Sequence, residues 1–193
     1  MAIFASGAGS NAEKIMAYFE NHPSIAVKVV LSSKKEAGVL QKAEKFGVET
    51  LIINKTAFFD TDTYIKALQN RDIDIIILAG FLWKVPENLV SAYRNRIINI
   101  HPALLPKYGG KGMYGHFVHE AVIRAGESQS GITIHVVDEV YDHGKHLFQA
   151  TCLIDTGDSP DDLAEKIHLL EHRHFAEVIE NYVRENEMLF HKA

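Results

Sequence analysis

The run Ile73-Asp74-Ile75-Ile76-Ile77-Leu78-Ala79, closed by Gly80, decides the expected fold. Six of its seven residues are apolar and nothing alternates. A strand with one face in water alternates apolar and polar side chains. A strand covered on both faces does not, and a parallel sheet between two helical layers produces that pattern.

Outward from this strand the chain switches repeatedly between strand and helix signals. Upstream, residues 2–5 read as a short buried strand, Ser6-Gly7-Ala8-Gly9-Ser10-Asn11 as a turn, and 12–20 as a helix. Residues 26–32 and 49–53 read as strands, with helices at 38–46 and 60–70, the second started by Thr61 or Asp62. Downstream, Pro86 opens a helix to residue 93, and Arg96-Ile97-Ile98-Asn99-Ile100-His101 is the next strand. The alternation implies an α/β fold: a doubly wound, mostly parallel Rossmann-like sheet with helices on both faces and right-handed crossovers. Residues 130–137 alternate as a half-buried strand, and a polar link at 138–144 leads to a strand at 145–153. These are expected to add antiparallel strands at the C-terminal side. Helix 116–125 is expected to bury Val118, Ala121, Val122 and Ala125. Ser159 should cap a last helix with Pro160 at its first position and a buried stripe of Leu163, Ile167, Leu170, His174, Val178 and Ile179. No repeat, linker or low-complexity segment interrupts this order, so residues 1–193 are expected to form one domain.

Composition narrows the class. A formal net charge of -5 argues against a general nucleic-acid binder. One cysteine, Cys152, cannot close an internal disulfide, which fits a reducing compartment. No apolar run approaches the ~20 residues that cross a bilayer. The start, Met1-Ala2-Ile3-Phe4-Ala5-Ser6-Gly7, is too short for a signal peptide. The expectation is a cytoplasmic protein, monomer or homodimer, acting on small molecules without nucleic acid or membrane.

In doubly wound sheets ligands bind beyond the carboxyl ends of the strands, where the winding reverses. Segments 7–11, 80–85 and 99–105 all follow strands and should share one rim. In Asn99-Ile100-His101-Pro102-Ala103-Leu104-Leu105-Pro106, Asn99 and His101 stand two apart and point the same way. An amide donor beside an imidazole suits a carbonyl oxygen that turns negative under attack. The same two residues could equally cap a turn and sit as a satisfied core histidine. Segment 7–11 offers backbone N–H groups and a helix start to an anion, although it carries neither the Walker Lys-Ser/Thr nor G-x-G-x-x-G. A plain Ser/Asn-capped turn uses the same residues. Loop 107–115 has four glycines in nine residues and reads as a substrate-covering element or as a plain surface loop.

The motifs Gly7-Ala8-Gly9-Ser10-Asn11, Leu78-Ala79-Gly80-Phe81, Asn99 through Tyr108, Ser130-Gly131-Ile132-Thr133-Ile134-His135, Tyr141-Asp142-His143-Gly144 and Glu171-His172 occur in that order. Together they closely resemble the glycinamide ribonucleotide transformylases, folate-dependent formyltransferases of purine synthesis. The resemblance covers nearly the whole chain. Its core, Asn-Ile-His-Pro with a later Asp-x-Gly, recurs in methionyl-tRNA formyltransferase and formyltetrahydrofolate deformylase, and so marks the superfamily. With no segment for an extra tRNA-binding or regulatory domain among these 193 residues, the expectation narrows to the transformylases.

The resemblance implies Asn99, His101 and Asp142 as catalytic. It implies Gly9, Ser10, Asn11, Glu171 and Lys107 on the substrate side, and Leu82, Trp83, Val85, Val140 and Tyr141 at the folate. The N-terminal half would then hold the substrate phosphate, and the C-terminal half would bind folate and carry the chemistry. Trp83 stands where some members have arginine. Lys145 and His146 follow Gly144 where a small or acidic residue and an aliphatic one are more usual.

The implied reaction moves a formyl group from 10-formyltetrahydrofolate, as co-substrate and without a metal, to the amine of glycinamide ribonucleotide. Asn99 and charged His101 would hold the oxyanion, with Asp142 keeping His101 charged and relaying a proton. Rival readings are hydrolysis of formyl-folate, transfer to another amine, and a phosphate-sensing module without activity. A metal centre finds weaker support. His116, His119 and Glu120 share helical spacing, and Asp142, His143 and His146 cluster, yet no zinc-site spacing occurs.

Overall fold

A computed structural model describes residues 1–190. Its sheet has seven strands in the order β3-β2-β1-β4-β5-β6-β7. These are β1 (Ala2–Phe4), β2 (Val29–Ser32), β3 (Glu49–Ile52), β4 (Ile76–Leu78), β5 (Ile97–His101), β6 (Gln129–Val136) and β7 (His146–Leu153). The first five pair in parallel, whereas β6 and β7 run antiparallel to their neighbours. The expected architecture is therefore the observed one. The chain winds outward from β1 to β3, then returns past β1 to start β4, so the winding reverses between β1 and β4.

Helices cover both faces, and the side-chain period of the strands assigns them. Ile3 and Ala5 point to one face, where they meet α1 (Ser10–Phe19), α2 (Gly38–Lys45), α6 (His116–Arg124) and α7 (Pro160–Glu185). Ala2 and Phe4 point to the other, against α3 (Lys55–Asp60), α4 (Thr63–Gln69) and α5 (Glu87–Ala92). Strand β4 is buried throughout, as its unbroken apolar run requires. Helix α7 begins with a full capping box: Asp162 N–H donates to Ser159 Oγ, and Ser159 N–H donates to Asp162 Oδ2. Such a cap contributes about 1 kcal/mol.

Four local readings change. Strand β6, expected to be half-buried, is buried from Ser130 to Val136 because the segment after β5 covers its second face: Leu105 N–H donates to Thr133 Oγ1, which donates to Ala103 O. Residues 55–70 hold two helices, because Asn54 caps α3 by accepting from Ala57 N–H, and Thr61 then ends it with its hydroxyl on Ala57 O. Asp62 starts α4 without a side-chain cap. In α6 the buried face is Val118, His119 and Val122, while Ala125 is exposed. In α7 it is Leu163, Ile167, Glu171, Phe175, Ala176, Ile179 and Tyr182, with Leu170, His174 and Val178 half-buried. Among the described residues no helix is long and apolar enough to cross a membrane.

Candidate active site

A cleft of about 580 Å³ opens beyond the C-terminal ends of β1, β4 and β5. Its floor comes from residues 7–11, 78–85 and 99–102, so the segments expected at 7–11, 80–85 and 99–105 share a rim except for residues 103–105. The β1 and β4 exits are tied together: Ser6 N–H donates to Gly80 O over 3.0 Å, and Leu82 N–H to Ser6 Oγ over 3.2 Å. Residues 110–115 and 137–142 close the sides, with His119, His168 and Glu171 at one end.

Asn99 and His101 project from the same face of β5, one pleat apart. Directly across from Asn99 in the antiparallel register stands His135 of β6. Its Nδ1 lies 3.1 Å from the Val136 carbonyl, which can only accept, so Nδ1 carries a hydrogen. Its Nε2 then accepts from Asn99 Nδ2 at 3.1 Å. That bond fixes the amide with Nδ2 toward the imidazole and leaves the second Nδ2 hydrogen for another acceptor. His101 is 3 % exposed, and its Nε2 donates to the Tyr108 carbonyl at 2.8 Å. The free Nδ1 stands 3.7 Å from Asp142 Oδ2.

Asp142 sits between two imidazoles, with Oδ1 3.7 Å from His135 Nε2. Its Oδ2 accepts from Gly110 N–H at 2.9 Å. Burial works against this carboxylate, but the His135 and His101 rings and the Gly110 N–H outweigh it and hold the carboxyl below the usual range. His101 moves the other way from expectation. Burial lowers its pKa, and the attraction of Asp142 only partly offsets that. In the protein alone the imidazole is therefore held toward neutral, not charged.

At the other end, Gly9 precedes α1 with φ 74° and its Cα lies against α2; a Cβ there would come 2.5 Å from Val39 Cβ. Only glycine lets the turn approach α2 so closely. Glu171, 5 % exposed, accepts from Asn11 Nδ2 at 2.8 Å and from His168 Nδ1 at 2.9 Å. The Glu171 bond raises the His168 pKa. Burial pushes His119 down to about 4. Asn11 Oδ1 and His119 Nδ1 are buried there without a protein partner among the described residues.

Toward the other rim, Leu82, Trp83, Val85, Val140 and Tyr141 line the cleft. Trp83 is built into an aromatic cluster, its ring 5.9 Å from Phe58, 5.8 Å from Phe59 and 6.1 Å from Phe81. The next residue, Lys84, carries the positive charge and stands 5.6 Å over the Tyr141 ring. Of the named site residues, Lys107 alone lies outside the cleft lining; its ammonium pairs with Glu127 at 2.9 Å. Neither Lys107 nor its neighbours Pro106 and Tyr108 line the cleft.

His168 and Lys84 were not singled out from sequence, His119 entered only the metal reading, and His135 only closed a motif, with no role given. For His135 a signal existed in the alternation of 130–137, but its meaning depends on which residue of β5 it faces. Among the described residues neither suggested metal cluster comes together as a set of three, although His116 Nε2 lies 3.3 Å from Glu120 Oε1. His143 is 73 % exposed at its side chain and pairs with Asp138 at 3.1 Å, away from the His101 side of Asp142. Among the described residues no group of three or more His, Cys, Asp or Glu is placed to hold a metal ion.

A family-wide sequence model described as formyl transferase matches residues 1–179. The chloroplastic phosphoribosylglycinamide formyltransferase of Arabidopsis thaliana is 37% identical over 185 residues, covering 93% of this chain and 63% of the relative. That of Bacillus subtilis is 35% identical over 185 residues, covering 92% of this chain and 91% of the relative. This chain thus spans less than two thirds of the Arabidopsis protein and 59% of its Vigna unguiculata counterpart. The crystal structure of phosphoribosylglycinamide formyltransferase from Bacillus halodurans superposes with a TM-score of 0.88 at 30% identity, covering 99% of this chain and 98% of that one. With a matching sequence over nearly its whole length and the same fold, the chain belongs to the formyl transferase family.

Proposed function

We propose that the chain transfers a formyl group from 10-formyltetrahydrofolate to the primary amine of glycinamide ribonucleotide, a step of purine synthesis. The observation that carries the reading is the convergence of Asn99, His101, His135 and Asp142 in one cleft whose far end is the glycine turn at Gly9. Names of relatives at 35% to 37% identity support the same substrates.

In this reading residues 1–193 act as one catalytic domain. Gly9, Ser10 and Asn11 receive the phosphate at the start of α1, where exposed N–H groups favour an anion. Glu171 serves the ribose side, and the apolar rim of Leu82, Trp83, Val85, Val140 and Tyr141 takes the folate. Lys107 acts from behind the cleft wall. No metal enters the scheme. The proposed compartment is the cytoplasm, supported by the lone Cys152.

The chemistry assigns each polar group one task. A substrate amine arriving as ammonium gives a proton to His101 Nδ1, which leaves a neutral nucleophile and a charged imidazole. Attack on the formyl carbon forms the new C–N bond and turns the carbonyl oxygen into an oxyanion. Asn99 Nδ2 and His101 Nδ1–H donate to it, and losing one such donor costs on the order of 3 kcal/mol. The nitrogen's surplus proton passes to Asp142 and on to N10, whose bond to carbon breaks as the carbonyl re-forms, and His101 gives up its own proton to solvent as the products leave. Orientation of two bound substrates contributes further acceleration.

The test is a product assay with and without glycinamide ribonucleotide. Formylated amine that depends on the ribonucleotide is expected. Formate released at the same rate without it would replace transfer by hydrolysis, and absence of both products would leave a binding module.

A further inference from the structure

Three consecutive residues, two behind the cleft wall and Gly110 in it, hold two of the groups that the proposed reaction uses. The Tyr108 carbonyl accepts from His101 Nε2 at 2.8 Å, and the Gly110 N–H donates to Asp142 Oδ2 at 2.9 Å. Between them Gly109 packs so tightly that a Cβ would lie 2.5 Å from Leu105 Cδ2 and 3.2 Å from Asp142 Cβ. The separation of His101 Nδ1 from Asp142 Oδ2, 3.7 Å, is thus set by one short piece of backbone.

That backbone is unusual. Tyr108 has φ 56° and Gly110 φ 94°, so the span turns through the left-handed region twice, once at a residue with a bulky side chain. Something must hold Tyr108 there. Its hydroxyl donates to Glu127 Oε1 at 2.9 Å, and Lys107 Nζ reaches the same oxygen at 2.9 Å. Neither Tyr108 nor Glu127 lines the cleft.

We propose that Tyr108, Gly109 and Gly110 form a positioning yoke for His101 and Asp142, and that Glu127, outside the cleft, anchors it. Tyr108 sets the imidazole through its carbonyl: with Nε2–H committed, Nδ1 is the only nitrogen left to exchange a proton with the cleft. Gly110 aims the carboxylate at that nitrogen, and Gly109 allows the approach by having no side chain. Lys107 belongs to the anchor, which explains why it lies outside the cleft lining. The inference rests on the proposed formyl transfer for its kinetic readout only.

The experiment combines steady-state kinetics with the tautomer of His101 read by long-range 1H–15N NMR. In the unaltered protein His101 is expected as a single Nε2–H form. Tyr108→Phe and Glu127→Ala should each lower kcat about three- to tenfold with both KM values within about twofold, because misplacement of reacting groups acts on turnover. Each should also bring the second His101 tautomer into view. The double variant should be no worse than the poorer single, since both remove one link. Gly109→Ala should lower kcat at least about tenfold by pressing on Asp142.

Wild-type kcat and a single tautomer in Tyr108→Phe and Glu127→Ala would overturn the proposal, even with a lowered melting temperature. So would losses that multiply in the double variant, or a loss that falls on KM. Where the unaltered protein shows no transfer at all, the function reading fails and the tautomer alone decides: unchanged in the variants, it sinks the yoke as well.

Discussion

Asn99 on β5 faces His135 on β6, and the amide Nδ2 lies 3.1 Å from the imidazole Nε2. The oxyanion donor is therefore oriented by a second residue. His135→Ala leaves Nδ2 free to rotate or exchange places with Oδ1, which would present an acceptor to an oxyanion. Turnover should fall roughly 10- to 100-fold, below the full loss of a donor. Steady-state rates of His135→Ala beside Asn99→Ala check it: the Asn99 variant should be the slower, and any further loss in the double variant measures what His135 does through Asp142, 3.7 Å away.

Much of the architecture was readable because burial leaves a periodic trace. The unbroken apolar run at 73–79 announced a strand between two layers, and Asn99 with His101 announced a shared face. What the sequence hid depends on partners. His135 matters through strand register, which no local pattern specifies. His119 and Glu171 are polar residues on inward faces, so a search for apolar stripes passed over His119 and put Ala121 and Ala125 in the buried set. Helix α3, Lys55–Asp60, spans under two turns and offers too little periodicity to stand apart from α4. The resemblance put Lys107 on the substrate side, but a flexible lysine takes its direction from the nearest carboxylate, here Glu127.

Gly9 tests the phosphate end. Gly9→Ala adds a methyl 2.5 Å from Val39 Cβ at a backbone with φ 74°. Left-handed strain of about 1–2 kcal/mol and overpacking of about 1–3 kcal/mol should both appear as lost stability. Urea unfolding should show the loss, and Val39→Ala in the same chain should recover little of it, because alanine keeps the Cβ that lies 2.5 Å away. The ribonucleotide KM should rise in Gly9→Ala because α1 cannot keep its distance from α2.

His119 should make the fold acid-sensitive. Burial pushes it down to about 4, so below the ordinary histidine pKa the unfolded chain binds a proton that the folded chain refuses. The stability this group allows is complete above pH ~6.5 and declines as pH falls toward 4, by on the order of 2–3 kcal/mol. Replacing it with methionine, of similar volume, should flatten that decline. Unfolding free energies of both proteins at pH 7 and 4.5 measure the difference; parallel losses would assign the acid sensitivity elsewhere.

Asp142→Asn separates charge from shape. The amide keeps an oxygen for the Gly110 N–H, so the yoke and the fold should survive, with a melting temperature close to that of the unaltered protein. The carboxylate raises the His101 pKa against the larger, opposing effect of burial. Without it the imidazole should titrate lower still, so a limb of kcat/KM that needs neutral His101 should move to more acid pH. Turnover should nonetheless fall by roughly 10²- to 10⁴-fold, because an amide cannot accept the amine's surplus proton. The two effects have opposite signs at low pH, and a pH–rate profile resolves them. A limb displaced toward alkaline pH would mean that the group titrating there is not His101. A near wild-type plateau would mean that the proton leaves the nitrogen by a route that bypasses Asp142.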